Sequence, residues 1–174
     1  LVLADGHPFA APKTFTATKA AYNMTAVATT ADGKGFGTLC LPFEATTLAG
    51  QAYKLDQGVT AGGELYATEV TTVPANTPVL VTATGTYSAE NASVASVKAT
   101  ALREGGELVG VYAQTQAPVG SYVLQKHTDK VAFYPVVNVK PTVKPFRAYI
   151  RPQGEAASYS MLSVVFGFDE ETAI

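Results

Sequence analysis

The side chain with the most intrinsic reactivity in this chain is its single cysteine, Cys40, and the chemistry open to it is nucleophilic attack. Its neighbours in the stretch 39–43 are all apolar, whereas a reactive thiolate needs a histidine and a polar, activating environment. The two histidines, His7 and His127, are distant from Cys40 in sequence and lie in turn-like segments. The pattern therefore favours a buried thiol that packs as a small hydrophobe.

Other patterns that could carry chemistry have simpler explanations. The glycine-rich segment 33–37 is similar to a phosphate-binding loop, but such a loop needs a helix after it, and here a β-like run follows. The acids 169–171 are consecutive, so they cannot all point at one Ca²⁺ ion, which takes oxygens from spaced positions. No serine has the G-x-S-x-G context of a hydrolase nucleophile. We expect no enzymatic activity, no cofactor, and no catalytic, cofactor-binding or metal-binding residue.

Aromatic side chains are the remaining candidates, because sugar-binding modules stack glycan rings on exposed aromatic rings. The chain has nine tyrosines and eight phenylalanines, and most of them alternate with small residues, as in strands that bury one face. Tyr87, Tyr112 and Tyr159 lie beside turns and are the candidates for exposed rings that contact a glycan. The sequence assigns no other ligand-binding residue.

Charge and composition limit the partners and the location. The net charge is −2 and the 12 basic residues are scattered, whereas a nucleic-acid surface concentrates Lys and Arg. The densest basic stretch, which indicates a solvated strand edge because apolar and proline residues interrupt it, is Lys140, Lys144, Arg147 and Arg151. No run approaches the roughly 20 apolar residues of a membrane span. A charged fraction of 15% and one threonine in about eight residues are typical of a protein outside the cytoplasm.

Strand-sized segments bounded by Gly, Pro, Asn or Asp recur along the chain. They predict an all-β fold, a β-sandwich of about a dozen short antiparallel strands, and the apolar run 36–43 predicts a strand buried on both faces. Residues 1–14 are expected to be a linker or N-terminal arm, and residues 15–174 a single β-sandwich domain. Only 88–101 would tolerate a helix. The predicted strands are 15–22, 36–43, 52–55, 64–70, 78–83, 94–99, 107–112, 121–126, 130–136, 146–150 and 161–166.

A faint internal repeat runs through the middle of the chain. The segment 53–55 reads YKL and the segment 122–124 reads YVL, and each is followed by a second apolar segment and then by a pair of prolines four residues apart. Because proline is excluded from central sheet ladders, each pair marks an edge or a crossing between sheets. The repeat predicts an internally duplicated, jelly-roll-like arrangement; the alternative is two independent solutions to the same turning problem.

Three segments carry a resemblance to a known family. They are 37–43, which reads GTLCLPF, 73–81, which reads VPANTPVLV, and 146–150, which reads FRAYI, taken with the acidic ending. In this order they resemble the C-terminal β-sandwich module of secreted and surface proteins from Bacteroidetes-type bacteria, a module often described as a cell adhesion protein. Phe36 stands where the family usually has tryptophan. The resemblance spans 15–174 and implies the fold and an extracellular location, and it transfers no functional residue.

The function expected from these observations is that of a non-catalytic extracellular module of a bacterial surface protein, which binds glycans or host extracellular proteins. The chain begins without an initiator Met, so we expect it to be part of a larger polypeptide. Two alternatives stay open. One is a structural spacer domain of a larger secreted protein, and the other is a fimbrial-type subunit in which residues 1–14 complete the sheet of a neighbouring copy.

Overall fold

The computed structural model describes residues 1–25, 27–31, 35–152 and 159–166. Every regular element in these residues is a β-strand, which confirms the all-β prediction. The strands are β1 (Val2–Leu3), β2 (Phe15–Met24), β3 (Ala28–Thr29), β4 (Gly35–Leu39), β5 (Ala52–Lys54), β6 (Glu64–Val70), β7 (Val79–Val81), β8 (Gly85–Val94), β9 (Leu102–Gly105), β10 (Leu108–Val111), β11 (Thr115–Gln116), β12 (Tyr122–His127), β13 (Lys130–Pro135), β14 (Thr142–Val143), β15 (Ala148–Ile150) and β16 (Ser163–Phe166).

Three sheets and a two-stranded ribbon form a layered, sandwich-like fold. The first sheet has the order β1-β2-β8, the central sheet β16-β6-β5-β7-β4-β3 and the third sheet β13-β12-β15-β10-β9, while β11 and β14 form the ribbon. Strand pairs are antiparallel except at the two ends of the chain, where β1 is parallel to β2 and β16 is parallel to β6. The central sheet lies between the other two sheets, and each of its faces is buried in a separate hydrophobic core.

The strand β7 shows how one strand supplies two hydrophobic cores. Val79 and Val81 pack into the core shared with the first sheet, and Leu80 packs into the core shared with the third sheet. Successive side chains in a strand point to opposite faces, so a strand between two cores must be apolar throughout. β4 also lies between the two cores, since Leu39 packs in the core shared with the first sheet (the first core) and Phe36 in the core shared with the third sheet (the second core). The strand predicted at 36–43 is shorter than expected, because β4 ends at Leu39, although residues 40–43 are also buried.

The repeat seen in the sequence has a counterpart in the topology. The five strands β6-β5-β7-β4-β3 of the central sheet and the five strands β13-β12-β15-β10-β9 of the third sheet stand in the same order relative to the chain. Tyr53 and Tyr122 occupy matching places: Tyr53 pairs with Leu80 of β7, Tyr122 pairs with Ile150 of β15, and all four side chains lie in the core between these sheets. We call β2–β7 the first half of the chain and β8–β15 the second half. Each half begins with a ten-residue strand, β2 or β8, and these two strands pair with each other.

One predicted strand is misplaced, and the segment that would tolerate a helix is extended. The strand predicted at 94–99 is wrong because β8 ends at Val94, and residues 88–94 belong to β8 rather than to a helix. The sequence pattern did not indicate this strand, because one of its faces is exposed and carries polar residues. Tyr87, Ala89 and Ala92 lie on the other face and point to the core. The short strands β1, β3, β9, β11 and β14 were not predicted.

Residues 1–11 of the expected linker or arm pack onto the domain. Val2–Leu3 forms β1 against the edge of β2, Leu3 and Ala11 are buried, and Phe9 packs edge-on against Tyr112. Backbone hydrogen bonds join the Phe9 amide to the Tyr112 carbonyl (2.9 Å) and Ala11 to Val97 in both directions (2.9 Å each). This segment, called the N-terminal arm below, contacts β2, the residue that follows β10 and the connection between β8 and β9.

Candidate functional site

The tyrosines proposed as exposed glycan contacts are not exposed. Tyr87 and Tyr112 are fully buried, because each ring packs in the first core while its hydroxyl finds an internal acceptor. The Tyr87 hydroxyl donates to the Ala83 carbonyl (2.6 Å), and the Tyr112 hydroxyl donates to Oδ1 of Asn76 (2.7 Å). The prediction that these two rings are exposed is therefore wrong.

Tyr159, the third of those candidates, is half-buried. Its hydroxyl contacts the carbonyls of Thr60 (3.1 Å) and Ala61 (2.9 Å), and its own carbonyl accepts a bond of 2.7 Å from the Tyr122 hydroxyl. These bonds tie Tyr159 to the loop between β5 and β6 and to β12 of the third sheet.

Cys40 lies at the centre of the fold. Its side chain is fully buried, and its thiol donates to the Tyr112 hydroxyl at 3.7 Å. Burial raises the pKa of Cys40 from 9.0 to about 12, against the opposing effect of that hydrogen bond. A thiol with such a pKa is almost entirely protonated at neutral pH, and the protonated form is a poor nucleophile.

The two histidines lie on the surface. His7 and His127 are exposed, and the His127 ring stacks on the Tyr134 ring with centroids 3.7 Å apart. Nε2 of His127 is 2.7 Å from Oε1 of Gln125. Within the described ranges, no group of three or more His, Cys, Asp and Glu side chains could hold a metal ion. The acids 169–171 and residues 33–34 of the glycine-rich segment lie outside those ranges.

The basic stretch that the sequence placed at a solvated strand edge is split by the fold. Lys140 and Lys144 are exposed, and Arg151 forms a surface ion pair with Glu104. Arg147 is different: its side chain is only 15% exposed and pairs with Asp5, whose side chain is 12% exposed. The interpretation as a solvated edge is therefore wrong for Arg147. Sequence gave no signal for the pairing, because the two residues are 142 positions apart.

Asp5 is held by three partners. Its carboxylate accepts bonds from the Tyr22 hydroxyl (2.5 Å) and from the Thr25 hydroxyl (2.5 Å), and from the Thr25 amide (3.1 Å). Nη2 of Arg147 lies 3.1 Å from Oδ2. Burial by itself would raise the pKa of Asp5, but the bonds from Thr25 and Tyr22 and the Arg147 charge outweigh it, so the pKa is lowered below 3.8. Asp5 is thus a carboxylate over the whole physiological pH range.

Arg147 lines a cavity of about 230 Å³ between the two halves of the chain. We call it the basic cleft, because among the described residues that line it Lys144 and Arg147 are the only charged ones and none is acidic. The rest of its lining is apolar or neutral. Representative lining residues are Met24, Val27 and Thr38 from the first half and Val123, Lys144 and Arg147 from the second.

The walls of the basic cleft are set by two small residues of β4. At Gly37 a Cβ atom would lie 2.7 Å from Cε of Met24 and 3.1 Å from Cγ1 of Val27, so glycine leaves the space that these two lining side chains fill. The hydroxyl of Thr38 accepts a bond of 2.9 Å from the Ala148 amide. That bond joins β4 of the central sheet to β15 of the third sheet, next to Arg147.

The guanidinium of Arg147 is held in place but not fully satisfied. Its Nη2 bonds to Asp5, its Cζ lies 6.0 Å from the centroid of the Tyr22 ring, and its Nη1 is buried with no hydrogen-bond partner among the described residues. A buried donor without an acceptor costs about 1–3 kcal/mol. Such a group is usually explained by a bound water, ion or ligand, and Arg147 also lines the cleft.

Two other cavities lack this combination. One of about 450 Å³ lies over the β8 surface and is lined by Glu44 and Glu90 with small polar residues, so it offers acids without a cation. Another of about 270 Å³ is lined by Phe36, Asp129 and Lys130 among others, and its opposite charges leave no net attraction for an ion. The basic cleft is therefore the candidate site.

No helix in the described ranges is long and apolar enough to cross a membrane. Searches with protein-family models, among curated proteins and among solved structures found no match to this chain.

Proposed function

We propose that this chain is a non-catalytic binding module of a secreted or cell-surface bacterial protein, and that it binds glycans or host extracellular proteins. The observation that carries this proposal is the basic cleft, in which two cationic side chains, Lys144 and Arg147, stand beside an apolar wall. Ligand sites are concave and mostly apolar, with a few polar groups that fix the orientation of the ligand. The cleft has this composition.

The extracellular location is supported by composition and by the family resemblance. The low charged fraction and the abundant threonine suit a protein outside the cytoplasm, and the segments 37–43 and 73–81 resemble the C-terminal modules of Bacteroidetes-type surface proteins. In such a protein this chain is one part of a larger polypeptide that presents the cleft at the cell surface.

The experiment that tests this function is an array of glycans and extracellular-matrix proteins probed with the purified chain. The proposal expects a reproducible, saturable signal for at least one class of glycan or matrix protein. A blank array, obtained with a chain whose circular dichroism and cooperative unfolding show that it is folded, contradicts the proposal and favours a structural spacer domain.

A fimbrial-type subunit is the second candidate, because the N-terminal arm is attached as a separable strand. The arm adds β1 to the edge of β2 and buries Leu3 and Ala11 in the first core, which is how an exchanged segment from another copy would bind. We expect that a chain lacking residues 1–11 can be restored by a synthetic peptide of residues 1–14 added in trans.

The readout for this second candidate is the thermal midpoint together with the molar mass from light scattering. Recovery of the thermal midpoint with the peptide, and concentration-dependent oligomers of the full chain, would favour the subunit. A full chain that stays monomeric at every concentration, and a truncated chain that the peptide does not restore, would exclude it.

A further inference from the structure

We propose that the basic cleft binds a single carboxylate-bearing sugar ring, a sugar acid, with its carboxylate between Lys144 and Arg147. This inference rests on the proposed function, since it names the ligand class of that same site. Three properties of the cleft carry it: the sign of the charge, the fixed orientation of one cation, and the size and polarity of the space.

The sign of the charge selects an anion. Lys144 and Arg147 line the cleft, and none of the described residues in its lining is acidic. Asp5 neutralises part of the Arg147 charge, which leaves Lys144 as the other cation of the lining. Lys144 is exposed, so its ammonium group is free to move toward a ligand, and its attraction for an anion falls with added salt.

The fixed guanidinium selects a carboxylate. Nη2 of Arg147 is bound to Asp5, which keeps the planar group from turning away, while Nη1 is buried and has no partner among the described residues. A guanidinium is a planar donor that matches the geometry of a carboxylate. A ligand carboxylate in the cleft would meet an Arg147 guanidinium whose orientation the Asp5 pair already fixes.

The size and the walls select a sugar ring. A volume of about 230 Å³ is below the roughly 300–1,000 Å³ of sites for drug-sized ligands, so the cleft takes one ring. Met24, Val27 and Val123 offer an apolar wall for the C–H face of a ring, and the polar residue Thr142 also lines the cavity. A neutral sugar would make the apolar contacts with the wall but would not form the ion pair.

The test is a titration of the isotope-labelled chain, followed by amide chemical shifts, with D-glucuronate and with D-glucose as its uncharged counterpart. Glucuronate should shift amides at 142–148, and glucose should bind at least about tenfold more weakly, as expected when a hydrogen bond to a charged group is lost. Lys144→Glu should weaken glucuronate binding by about tenfold or more. Lys140→Glu, an exposed control in the same region that does not line the cleft, should change it by less than about twofold.

Several results would overturn the inference. They are no shift with glucuronate, equal binding of glucose, unchanged affinity in Lys144→Glu, and tighter binding of an acidic peptide than of glucuronate. A glycan or matrix signal on the array without glucuronate binding would overturn the sugar-acid inference and leave the binding function standing. Glucuronate binding with a blank array would support the site and contradict adhesion.

Discussion

Asp5 and Arg147 are 142 residues apart in the chain, and Nη2 of Arg147 lies 3.3 Å from Oδ1 and 3.1 Å from Oδ2 of Asp5. The pair joins the N-terminal arm to the segment that leads into β15. It also lies behind the basic cleft, because Arg147 lines that cavity. The attachment of the arm and the orientation of the cleft cation therefore depend on the same ion pair.

Replacing Asp5 with Asn should destabilise the chain by about 2–4 kcal/mol. The change removes the charge partner of a mostly buried Arg147 and weakens the bonds from Tyr22 and Thr25, and breaking a buried pair leaves an uncompensated charge. The measurement is urea unfolding at neutral pH. Asp56→Asn is the matched control, because the Lys54–Asp56 pair is 46% and 43% exposed and should cost less than about 1 kcal/mol. Equal losses in the two variants would contradict this account.

Acid should remove the contribution of Asp5. The pKa of Asp5 is lowered in the folded chain from an ordinary value of 3.8, so its contribution to stability is fully present above that value and is lost as the pH falls through the lower folded pKa. The difference in unfolding free energy between the native chain and Asp5→Asn should therefore be constant near neutral pH and shrink below about pH 4. A difference that stays constant down to pH 2 would mean that the charge of Asp5 contributes nothing.

Cys40 should resist thiol reagents in the folded chain. Burial and a pKa of about 12 leave almost no thiolate for attack at pH 8, so modification by a disulfide reagent should follow the rate of unfolding. Urea should make the reaction immediate. The control is Lys140→Cys in a Cys40→Ser background, which places a thiol on the surface and should react in the folded state. Rapid, stoichiometric modification of native Cys40 would show that the first core opens readily.

Gly106→Ala should be one of the most destabilising single-methyl additions. Gly106 has a φ of +61°, and a Cβ there would lie 1.9 Å from the carbonyl oxygen of Leu55, which is backbone and cannot rotate away. The expected loss is about 3 kcal/mol or more, from overpacking added to backbone strain. Gly120→Ala is the control, because Gly120 has a φ of +93° with nothing within 4 Å and should lose about 1 kcal/mol. Thermal midpoints compare the two, and similar values would contradict the steric explanation.

Several features of the fold follow from local sequence. The strand β6 occupies the predicted range 64–70, because its apolar and polar residues alternate with the period of a strand. The run 36–43 is almost unbroken in its apolar character, and both faces of β4, which covers its first four residues, are buried as that pattern predicts. The matching tyrosines of the repeat, Tyr53 and Tyr122, also stand at equivalent places of two sheets that share one strand order.

The candidate site could not be predicted in the same way. Whether Tyr87 and Tyr112 face a core or solvent depends on which sheet covers them, and a turn beside a residue carries no information about that covering layer. β8 is polar on one face, so its sequence did not indicate a ten-residue strand. Its partner β2 supplies the pairing that makes it one, in line with the dependence of strand formation on its neighbours.

The sequence by itself predicted that the chain forms many short strands, and it indicated a faint repeat of a strand pattern. Only the tertiary structure decided that Asp5 meets Arg147 and that Lys144 and Arg147 line one cavity with Val27 of the other half. The physical reason is that periodicity reports on local backbone geometry, whereas a binding site is made from side chains that approach one another only when distant segments pack.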